Sequence, residues 1–236
     1  MSVAANLGEV RERITRAEQA CGRAPGSVQL VAVSKTVPAE GILAALAAGQ
    51  LDFGESYGQE FRDKREAVEA GARAAGLPQP RWHFIGPLQT NKVKYVAGKV
   101  TLLHAVDSTE VLAELERRVA PLNVPQACLV QVNVAAEPQK RGIAPAALPA
   151  LLDRFAGLLH VRCQGLMVIP PFGDDPEISR APFAALRRLR DHEAGRARPN
   201  VELRHLSMGM SHDLEIAIAE GATLVRVGTA IFGARG

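Results

Sequence analysis

The sequence has few cysteines, no long apolar run and no marked excess of either charge. Its three cysteines, Cys21, Cys128 and Cys163, are odd in number and widely spaced, which argues against a disulfide framework. No run approaches the ~18 apolar residues that a membrane span requires. The first twenty residues carry charges throughout, which excludes a typical secretory signal. We therefore expect a reduced, cytoplasmic protein without a membrane partner.

Signatures of several other protein classes are also missing. The 28 basic and 25 acidic residues leave a net charge of only +3, and their scatter gives no electrostatic footprint for nucleic acid. No G-x-G-x-x-G follows the first strand-like run, which removes the main sequence argument for a dinucleotide-binding fold. Neither an H-E-x-x-H motif nor a Cys/His spacing supports a metal site. We expect a protein that binds neither nucleic acid nor metal.

What the sequence does contain is an alternation of strand-like and helical segments. Eight apolar runs are typical of strands, at residues 28–35, 51–55, 82–86, 102–107, 127–134, 161–169, 203–209 and 223–232. Helical segments separate them, at residues 38–48, 59–75, 88–96, 109–119, 145–159, 176–193 and 213–220, and an amphipathic helix at residues 3–21 precedes them. This alternation is typical of a parallel sheet covered on both faces.

Such a parallel sheet can close into a barrel or lie open as a doubly wound sheet, and the count of eight favours closure. We therefore predict an α/β fold, a single (β/α)8 TIM barrel over residues 1–236 with an extra N-terminal helix. Helix start signals occur at Ser108 or Thr109 and at Ser211. The sequence ends with Gly233-Ala-Arg-Gly236 directly after the eighth strand-like run, so we expect no second domain.

Lys35 closes the first apolar run, Val28-Gln-Leu-Val-Ala-Val-Ser-Lys35, just before the chain breaks at Pro38. Barrel enzymes carry their chemistry at the C-terminal ends of the strands. An amine at that place is a candidate for a Schiff base with a carbonyl compound. Taken alone, a lysine at a strand end is more often simply solvated. The rest of the sequence favours the Schiff base.

The ends of the last two strands predict an anion site. Barrels often hold phosphate in these loops, and here the loops carry small and hydroxyl residues. The glycines, Gly209, Gly228 and Gly233, free backbone N–H groups to approach phosphate oxygens. Hydroxyls for the same oxygens are available at Ser207, Ser211 and Thr229. The structural alternative is plain turn glycines and a helix cap at Ser211.

Arg226 lies in an otherwise apolar strand, where a buried guanidinium must be paired. One candidate partner is the ring nitrogen of a pyridoxal cofactor, where such enzymes place either an acidic residue or an arginine. The alternative is an ion pair with Glu55, Asp107 or Glu202. An arginine partner would leave the ring nitrogen unprotonated and weaken the ring as an electron sink, which disfavours transaminase-like chemistry.

Four further residues near the predicted mouth of the barrel have two interpretations. His83 and His104 lie on different strands, and we interpret them as core or rim histidines rather than metal ligands or bases. Met208 and Met210 flank Gly209 and could pack against a planar ring, because thioethers make favourable aromatic contacts. Methionines also fill cores, so this signal is weak alone.

Seven motifs follow one another over nearly the whole chain: Val31-Ala-Val-Ser-Lys35-Thr, Phe53-Gly-Glu-Ser-Tyr-Gly-Gln-Glu60, Trp82-His-Phe-Ile-Gly-Pro-Leu-Gln-Thr-Asn-Lys92, His104-Ala-Val-Asp-Ser108, Gly165-Leu-Met-Val-Ile-Pro-Pro171, Leu206-Ser-Met-Gly-Met-Ser-His-Asp213 and Val225-Arg-Val-Gly-Thr-Ala-Ile-Phe-Gly233. Together they resemble the YggS/PROSC family of pyridoxal phosphate homeostasis proteins. The sequence departs from the family pattern at Ser56, where Asn is usual, at Val168, where Thr is usual, and at Ala135-Ala136.

The resemblance implies a barrel similar to the N-terminal domain of alanine racemase, with pyridoxal phosphate as cofactor. By motif, Lys35 would carry the cofactor as a Schiff base and Arg226 would address its pyridine nitrogen. The phosphate would lie at Ser207, Ser211, Gly228 and Thr229. The other expected cofactor-binding residues are Met208, His83 and Ser56.

The expected role is to hold pyridoxal phosphate and release it to acceptors such as PLP-dependent apoenzymes. Alanine racemase adds a β-rich domain whose tyrosine is the second base, and this sequence has no counterpart. One lysine therefore leaves only one face of the ring with an evident base. We expect a mostly monomeric carrier, as the family suggests, with no catalytic residue. The alternatives are a weak PLP-dependent amino-acid racemase or related enzyme, and a class I aldolase that uses Lys35 without cofactor.

Overall fold

Eight parallel strands form a closed barrel in a computed structural model that describes residues 2–137, 139–171 and 173–233. Each strand pairs with the next along the chain, and β8 returns to pair with β1. The strands are β1 (Gln29–Val33), β2 (Asp52–Glu55), β3 (Arg81–Phe84), β4 (Leu102–Val106), β5 (Gln126–Gln131), β6 (Val161–Met167), β7 (Val201–Ser207) and β8 (Leu224–Val227). The predicted (β/α)8 TIM barrel is therefore confirmed. The expectation of no second domain stays a prediction. It was based on the end of the sequence, where residues 234–236 lie outside the described part.

Helices surround the barrel. They are α1 (Val3–Ala20), α2 (Ala39–Ala47), α3 (Gly58–Ala74), α4 (Val93–Val96), α5 (Thr109–Val119), α6 (Leu148–Asp153), α7 (Arg180–Ala194), α8 (Leu214–Ala219) and α9 (Thr229–Phe232). Several are preceded or followed by a short 3₁₀ turn. No helix in the described ranges is long and apolar enough to cross a membrane.

The apolar side chains divide into two cores because successive strand residues point to opposite faces of the sheet. On β1, Leu30 and Ala32 belong to the large cluster between the barrel and its helices. The intervening Val31 belongs to a small cluster inside the barrel. By the same alternation, Lys35 continues the inward series that Val31 and Val33 begin. Val31 pairs in register with Arg226 of β8, so the two strands that carry Lys35 and Arg226 are neighbours.

The extra N-terminal helix is confirmed, and it packs beside the barrel against α2, α8 and α9. Buried Leu7, Val10 and Ile14 form its apolar stripe. Its last turn holds the start of β1: the carboxylate of Glu18 is fully buried and accepts hydrogen bonds from the Gly26 and Val28 backbone N–H groups at 3.0 and 2.7 Å. Helix α1 therefore fixes the entrance to the first strand.

Most element boundaries differ by a few residues from the sequence prediction, and two differences change the interpretation of the chain near the predicted anion site. The eighth apolar run, predicted as one strand, divides at Gly228 into β8 and the short helix α9. The predicted helix start at Ser211 is wrong, because α8 begins after Asp213, whose carboxylate accepts from the Met210 N–H at 2.6 Å. The start at Ser108 is confirmed by its hydroxyl, which accepts from Val111 N–H at 3.2 Å.

Candidate functional site

A cavity of about 730 Å³ opens at the C-terminal ends of the strands, where barrel proteins place their chemistry. Six of the nine predicted site residues line it, namely Lys35, Ser56, Ser211, Arg226, Gly228 and Thr229. Other lining residues come from the same strand ends, namely Val33, Tyr57, Ile85, Gly86, Pro87, Ile169, Gly173, Asp174, Met210 and His212. The cavity therefore gathers one amine, one guanidinium, one imidazole, one carboxylate and four hydroxyl side chains.

Arg226 lies at the inner end of this cavity and is only 5% exposed. It donates to Ser207 Oγ at 2.6 Å and to the Val168 carbonyl at 3.0 Å. Burial lowers the pKa of Arg226 to about 10, against an opposing effect of the Asp213 charge, so the group stays protonated at neutral pH. The departure at Val168 leaves this contact intact, because the contact uses the backbone carbonyl.

The predicted structural alternative, an ion pair between Arg226 and a nearby carboxylate, is wrong for all three candidates. Glu55 pairs with Lys64 at 3.0 Å, Asp107 with Arg141 at 3.1 Å and Glu202 with Arg204 at 3.7 Å. Over the described residues, no carboxylate oxygen lies within 4.0 Å of the Arg226 guanidinium. A buried cation therefore reaches the cavity held only by neutral oxygens.

A line of buried polar side chains runs down the barrel interior from Arg226. Ser207 Oγ lies 2.8 Å from His104 Nδ1, and His104 Nε2 lies 2.9 Å from His83 Nδ1. His83 Nε2 lies 3.1 Å from Asp52 Oδ1. At the opposite end of the barrel, Arg81 forms a two-point ion pair with Asp52 at 2.8 and 2.6 Å. Polar groups thus connect the cavity with the far end of the barrel.

The charges at its two ends give this line a direction. Burial, with further effects of His83 and Arg226, lowers the pKa of His104 well below its ordinary value, so its ring is neutral. The Asp52 carboxylate only accepts, so His83 donates to it through Nε2. Arg226 only donates, so Ser207 Oγ accepts from it. The hydrogen bonds at the two ends of the line therefore both point from the Arg226 cation towards the Asp52 anion.

Asp52 keeps its charge at the far end of the line. Burial pushes the pKa of Asp52 upward, but hydrogen bonds from His83 and Arg81 outweigh that effect and bring the pKa well below its ordinary value. The carboxylate can therefore accept from both partners throughout the neutral range. Each side chain in the line is hydrogen-bonded to the next inside the barrel. Replacing any one of them would therefore leave a buried polar group without its hydrogen-bond partner.

The predicted anion site is represented at the mouth by the hydroxyls of Ser211 and Thr229, which lie 3.1 Å apart beside Gly228. Helix α1 supports this part of the wall. Arg13 donates to the Ser211 carbonyl at 3.0 Å and pairs with Glu215 at 2.7 Å. A residue from the N-terminal helix therefore positions a loop almost two hundred residues away.

On the opposite wall, the backbone of Ser56 packs directly against Gly86. A Cβ added at Gly86 would collide with the Ser56 carbonyl oxygen, so only glycine permits this approach. Next to Ser56, the side chain of Tyr57 lines the cavity and is 55% exposed. The close contact between Ser56 and Gly86 joins the ends of β2 and β3 into one continuous wall of the cavity.

The structure does not bring the remaining three predicted residues to the cavity wall. Ser207 and His83 point inward, but they lie one layer deeper, within the polar line. Met208 points outward and is fully buried in the core between the barrel and the helices, while Met210 lines the cavity in its place. The core interpretation of His83 and His104 agrees with their exposures of 2% and 0%.

Sequence reasoning missed Tyr57 and His212, which both line the cavity. Neither residue ends a strand, and each follows a predicted strand within a loop whose path the sequence does not specify. Both residues lie within quoted motifs, which begin at Phe53 and Leu206. These motifs could therefore have identified them as site residues.

Comparison with known proteins gives the same fold. The family model for the N-terminal domain of alanine racemase matches residues 5–236. A protein of Pseudomonas aeruginosa named pyridoxal phosphate homeostasis protein is 47% identical, over 99% of this chain and 96% of its own. The protein of that name from Aquifex aeolicus is 43% identical, over 100% and 99%.

A solved structure gives the same result in three dimensions. PipY of Synechococcus elongatus, in a structure with PLP bound, superposes with a TM-score of 0.82 at 37% identity, covering 98% of this chain and 100% of that chain. The likeness thus covers nearly all of this chain and the whole of PipY. This chain belongs to the family of pyridoxal phosphate homeostasis proteins, whose fold is that of the alanine racemase N-terminal domain.

Proposed function

We propose that this protein binds pyridoxal phosphate in the cavity at the strand ends, holds it as a Schiff base on Lys35, and releases it to acceptors. The observation that carries the proposal is that Lys35 and a buried, protonated Arg226 line one cavity. The names of the relatives and the PLP-bound structure of PipY support the same cofactor.

The residues present fit this cofactor. A cavity of about 730 Å³ is within the range of cofactor sites, which are roughly 300–1,000 Å³. Its polar groups match those of the cofactor: an amine for the aldehyde, a donor for the ring nitrogen, and two hydroxyls for the phosphate. We assign these roles to Lys35, Arg226 and the Ser211–Thr229 pair, with Gly228 and Ser56 completing the wall.

The chemistry that the cofactor supplies when bound is electron withdrawal by its ring, and Arg226 keeps that withdrawal weak. A guanidinium can donate a hydrogen bond to the ring nitrogen but does not give up its proton at neutral pH. Arg226 is further held by Ser207 and the polar line behind it. The residues therefore favour holding the cofactor over strong activation of amino acids.

Release follows from the reversibility of a Schiff base. The Lys35 amine forms the bond by attack on an aldehyde with loss of water, and a competing amine can displace it. The competing amine would be a free amino acid or a lysine of an acceptor apoenzyme. We further propose that the chain acts as a single domain over residues 1–236, as a monomer and in the cytoplasm.

The test is cofactor transfer. Protein loaded with pyridoxal phosphate and freed of excess is mixed with an apo PLP-dependent enzyme, and recovered acceptor activity is followed over time. We expect acceptor activity to recover faster than in a control that receives an equimolar amount of free pyridoxal phosphate. Phosphatase is added to destroy cofactor that is free in solution. A loaded protein that never restores the acceptor would contradict the carrier role.

A second candidate is a weak PLP-dependent racemase or related enzyme, because Tyr57 and His212 line the cavity and either could move a proton. Exchange of the α-hydrogen of alanine or serine in D₂O separates the two functions. Exchange that depends on Lys35 and falls more than tenfold in Tyr57→Phe or His212→Asn would favour the enzyme. Without such exchange, the carrier function stands.

A further inference from the structure

Lys35 lies in a turn that helix α3 holds on both sides. On one side, the Lys64 ammonium donates to the Ser34 carbonyl at 2.8 Å. On the other side, the Thr36 backbone N–H donates to Glu60 Oε1. Lys64 also donates to the same oxygen of Glu60 at 2.6 Å, so the two contacts are joined into one clamp. The clamp thus grips the residue before Lys35 and the residue after it.

A second carboxylate fastens the clamp from below. Glu55 is fully buried, and its Oε1 accepts from the Ser34 hydroxyl at 2.7 Å and from Lys64 at 3.0 Å. Burial raises the pKa of Glu55, against the opposing effect of the Lys64 charge. The Lys64 side chain is only 10% exposed, so water competes weakly for its donors. These contacts order the outer side of the turn while Lys35 faces the cavity.

The turn needs such a clamp because its backbone is strained. The Val37 N–H donates to the Ser34 carbonyl at 3.0 Å, which places Lys35 and Thr36 at the two central positions of a β-turn. Thr36 has a φ of 61°, in the left-handed region. A β-branched residue adopts this region only when the surroundings impose it. Without the clamp, we expect the turn to relax and to change the direction of Lys35.

We propose that Lys64 and Glu60 are positioning residues that hold the strained Ser34–Val37 turn and so aim the Lys35 amine at the cofactor aldehyde. The inference rests on the proposed function, since it assigns a partner to the same lysine. It adds two residues on α3 that do not line the cavity. They bind the backbone on each side of Lys35.

The test compares two substitutions, each of which removes one basic side chain from helix α3. Lys64→Met removes the ammonium that binds the Ser34 carbonyl and joins it to Glu60. Arg65→Met removes a neighbouring i,i+4 ion pair, with Glu69 at 3.3 Å, that does not touch the turn. The rate of Schiff-base formation with added pyridoxal phosphate is measured by stopped-flow absorbance. We expect Lys64→Met to react about tenfold more slowly, and Arg65→Met to stay within twofold of the wild type. Glu60→Gln, which keeps an acceptor but loses its charge, should lie between them.

A readout on the protein without cofactor isolates the turn itself. Hydrogen exchange at the Thr36 and Val37 amides should be at least tenfold faster in Lys64→Met than in Arg65→Met. The Thr36 N–H is bound by Glu60, and the Val37 N–H by the Ser34 carbonyl that Lys64 holds. A general loss of stability would instead accelerate exchange throughout the barrel. Equal exchange at these two amides in both variants would overturn the inference.

Rescue by glycine tests the strain directly. Glycine adopts a positive φ without steric cost, so Thr36→Gly makes the turn less dependent on the clamp. We expect the double variant Lys64→Met/Thr36→Gly to react within threefold of Thr36→Gly alone. A double variant as slow as Lys64→Met would overturn the inference while the proposed function stands. A wild-type protein that forms no Schiff base would overturn both.

Discussion

The Arg226 guanidinium donates to Ser207 Oγ at 2.6 Å, and the same oxygen lies 2.8 Å from His104 Nδ1. Ser207 is fully buried, so no water replaces a lost partner. Ser207→Ala should therefore lower the free energy of unfolding by about 1–3 kcal/mol, the usual cost of leaving buried groups unpaired. Urea unfolding measures this cost.

Ser211→Ala is the matched comparison, because Ser211 is a half-buried hydroxyl at the mouth. We expect it to change stability by less than about 0.5 kcal/mol and to weaken pyridoxal phosphate binding instead. Equal losses of stability in the two variants would contradict the assignment of Ser207 to the buried polar line and of Ser211 to the phosphate site.

The buried His104 predicts an acid-sensitive stability. Burial, with the charges of His83 and Arg226, lowers its pKa in the folded protein below the value of 6.5 for an exposed ring. The unfolded chain therefore binds more protons, and the stabilisation that is present above pH 6.5 is lost as the pH falls below it. The limiting slope for one such group is about 1.4 kcal/mol per pH unit.

Unfolding free energies measured between pH 7.5 and 5 test this sign. His104→Gln should be less stable at pH 7.5 and should show a shallower fall towards pH 5. His192→Gln, at a ring that is 65% exposed, should keep the slope of the wild type. An unchanged slope in His104→Gln would show that other groups cause the acid sensitivity.

Glu18 predicts a large effect at a site far from the cavity. Its buried carboxylate accepts from Gly26 N–H, Ser27 Oγ and Val28 N–H at 2.7 to 3.1 Å. Glu18→Gln puts an amide donor against these donors and should cost about 2–3 kcal/mol. Thermal or urea unfolding measures it, and the exposed Glu12→Gln on the same helix should change stability by less than about 0.5 kcal/mol. Similar effects of the two would refute the role of Glu18 at the start of β1.

Gly86 predicts a coupled loss of stability and binding. The Cβ of Gly86→Ala would meet the Ser56 carbonyl, so the wall must move, at a cost of about 3 kcal/mol. Gly8→Ala, in helix α1 with no heavy atom within 4 Å of the new Cβ, should stabilise the protein by about 0.5–1 kcal/mol. Unfolding and cofactor titrations of both variants check this. A Gly86→Ala protein as stable as the wild type would contradict the close packing.

The sequence was enough to predict the barrel, because its strands are near-continuous apolar runs separated by helical periodicity. In the structure, the inward and outward alternation along each strand, its parity, brings Lys35 and Arg226 to one cavity, since both point inward on neighbouring strands. Parity does not give depth, however. His83 and Ser207 share the inward parity but lie one layer below the mouth, and only the assembled barrel reveals this.

Other features of the site depend on contacts between distant segments. The support of Ser211 by Arg13 and the clamp of Lys64 and Glu60 on the Lys35 turn join residues that no local pattern connects. The break at Gly228 was missed because the apolar character of the run continues through it into α9. Such contacts depend on how the helices and strands pack against one another. Hydrophobic periodicity locates these elements along the chain but does not predict their packing.

Borohydride reduction of the protein after incubation with pyridoxal phosphate, followed by peptide mass spectrometry, shows whether Lys35 carries the cofactor. We expect a visible absorbance band that disappears on reduction, with the pyridoxyl group on Lys35, and neither result in Lys35→Ala. A colourless protein that stays unmodified, or an adduct spread over surface lysines at the same level in Lys35→Ala, would contradict this expectation.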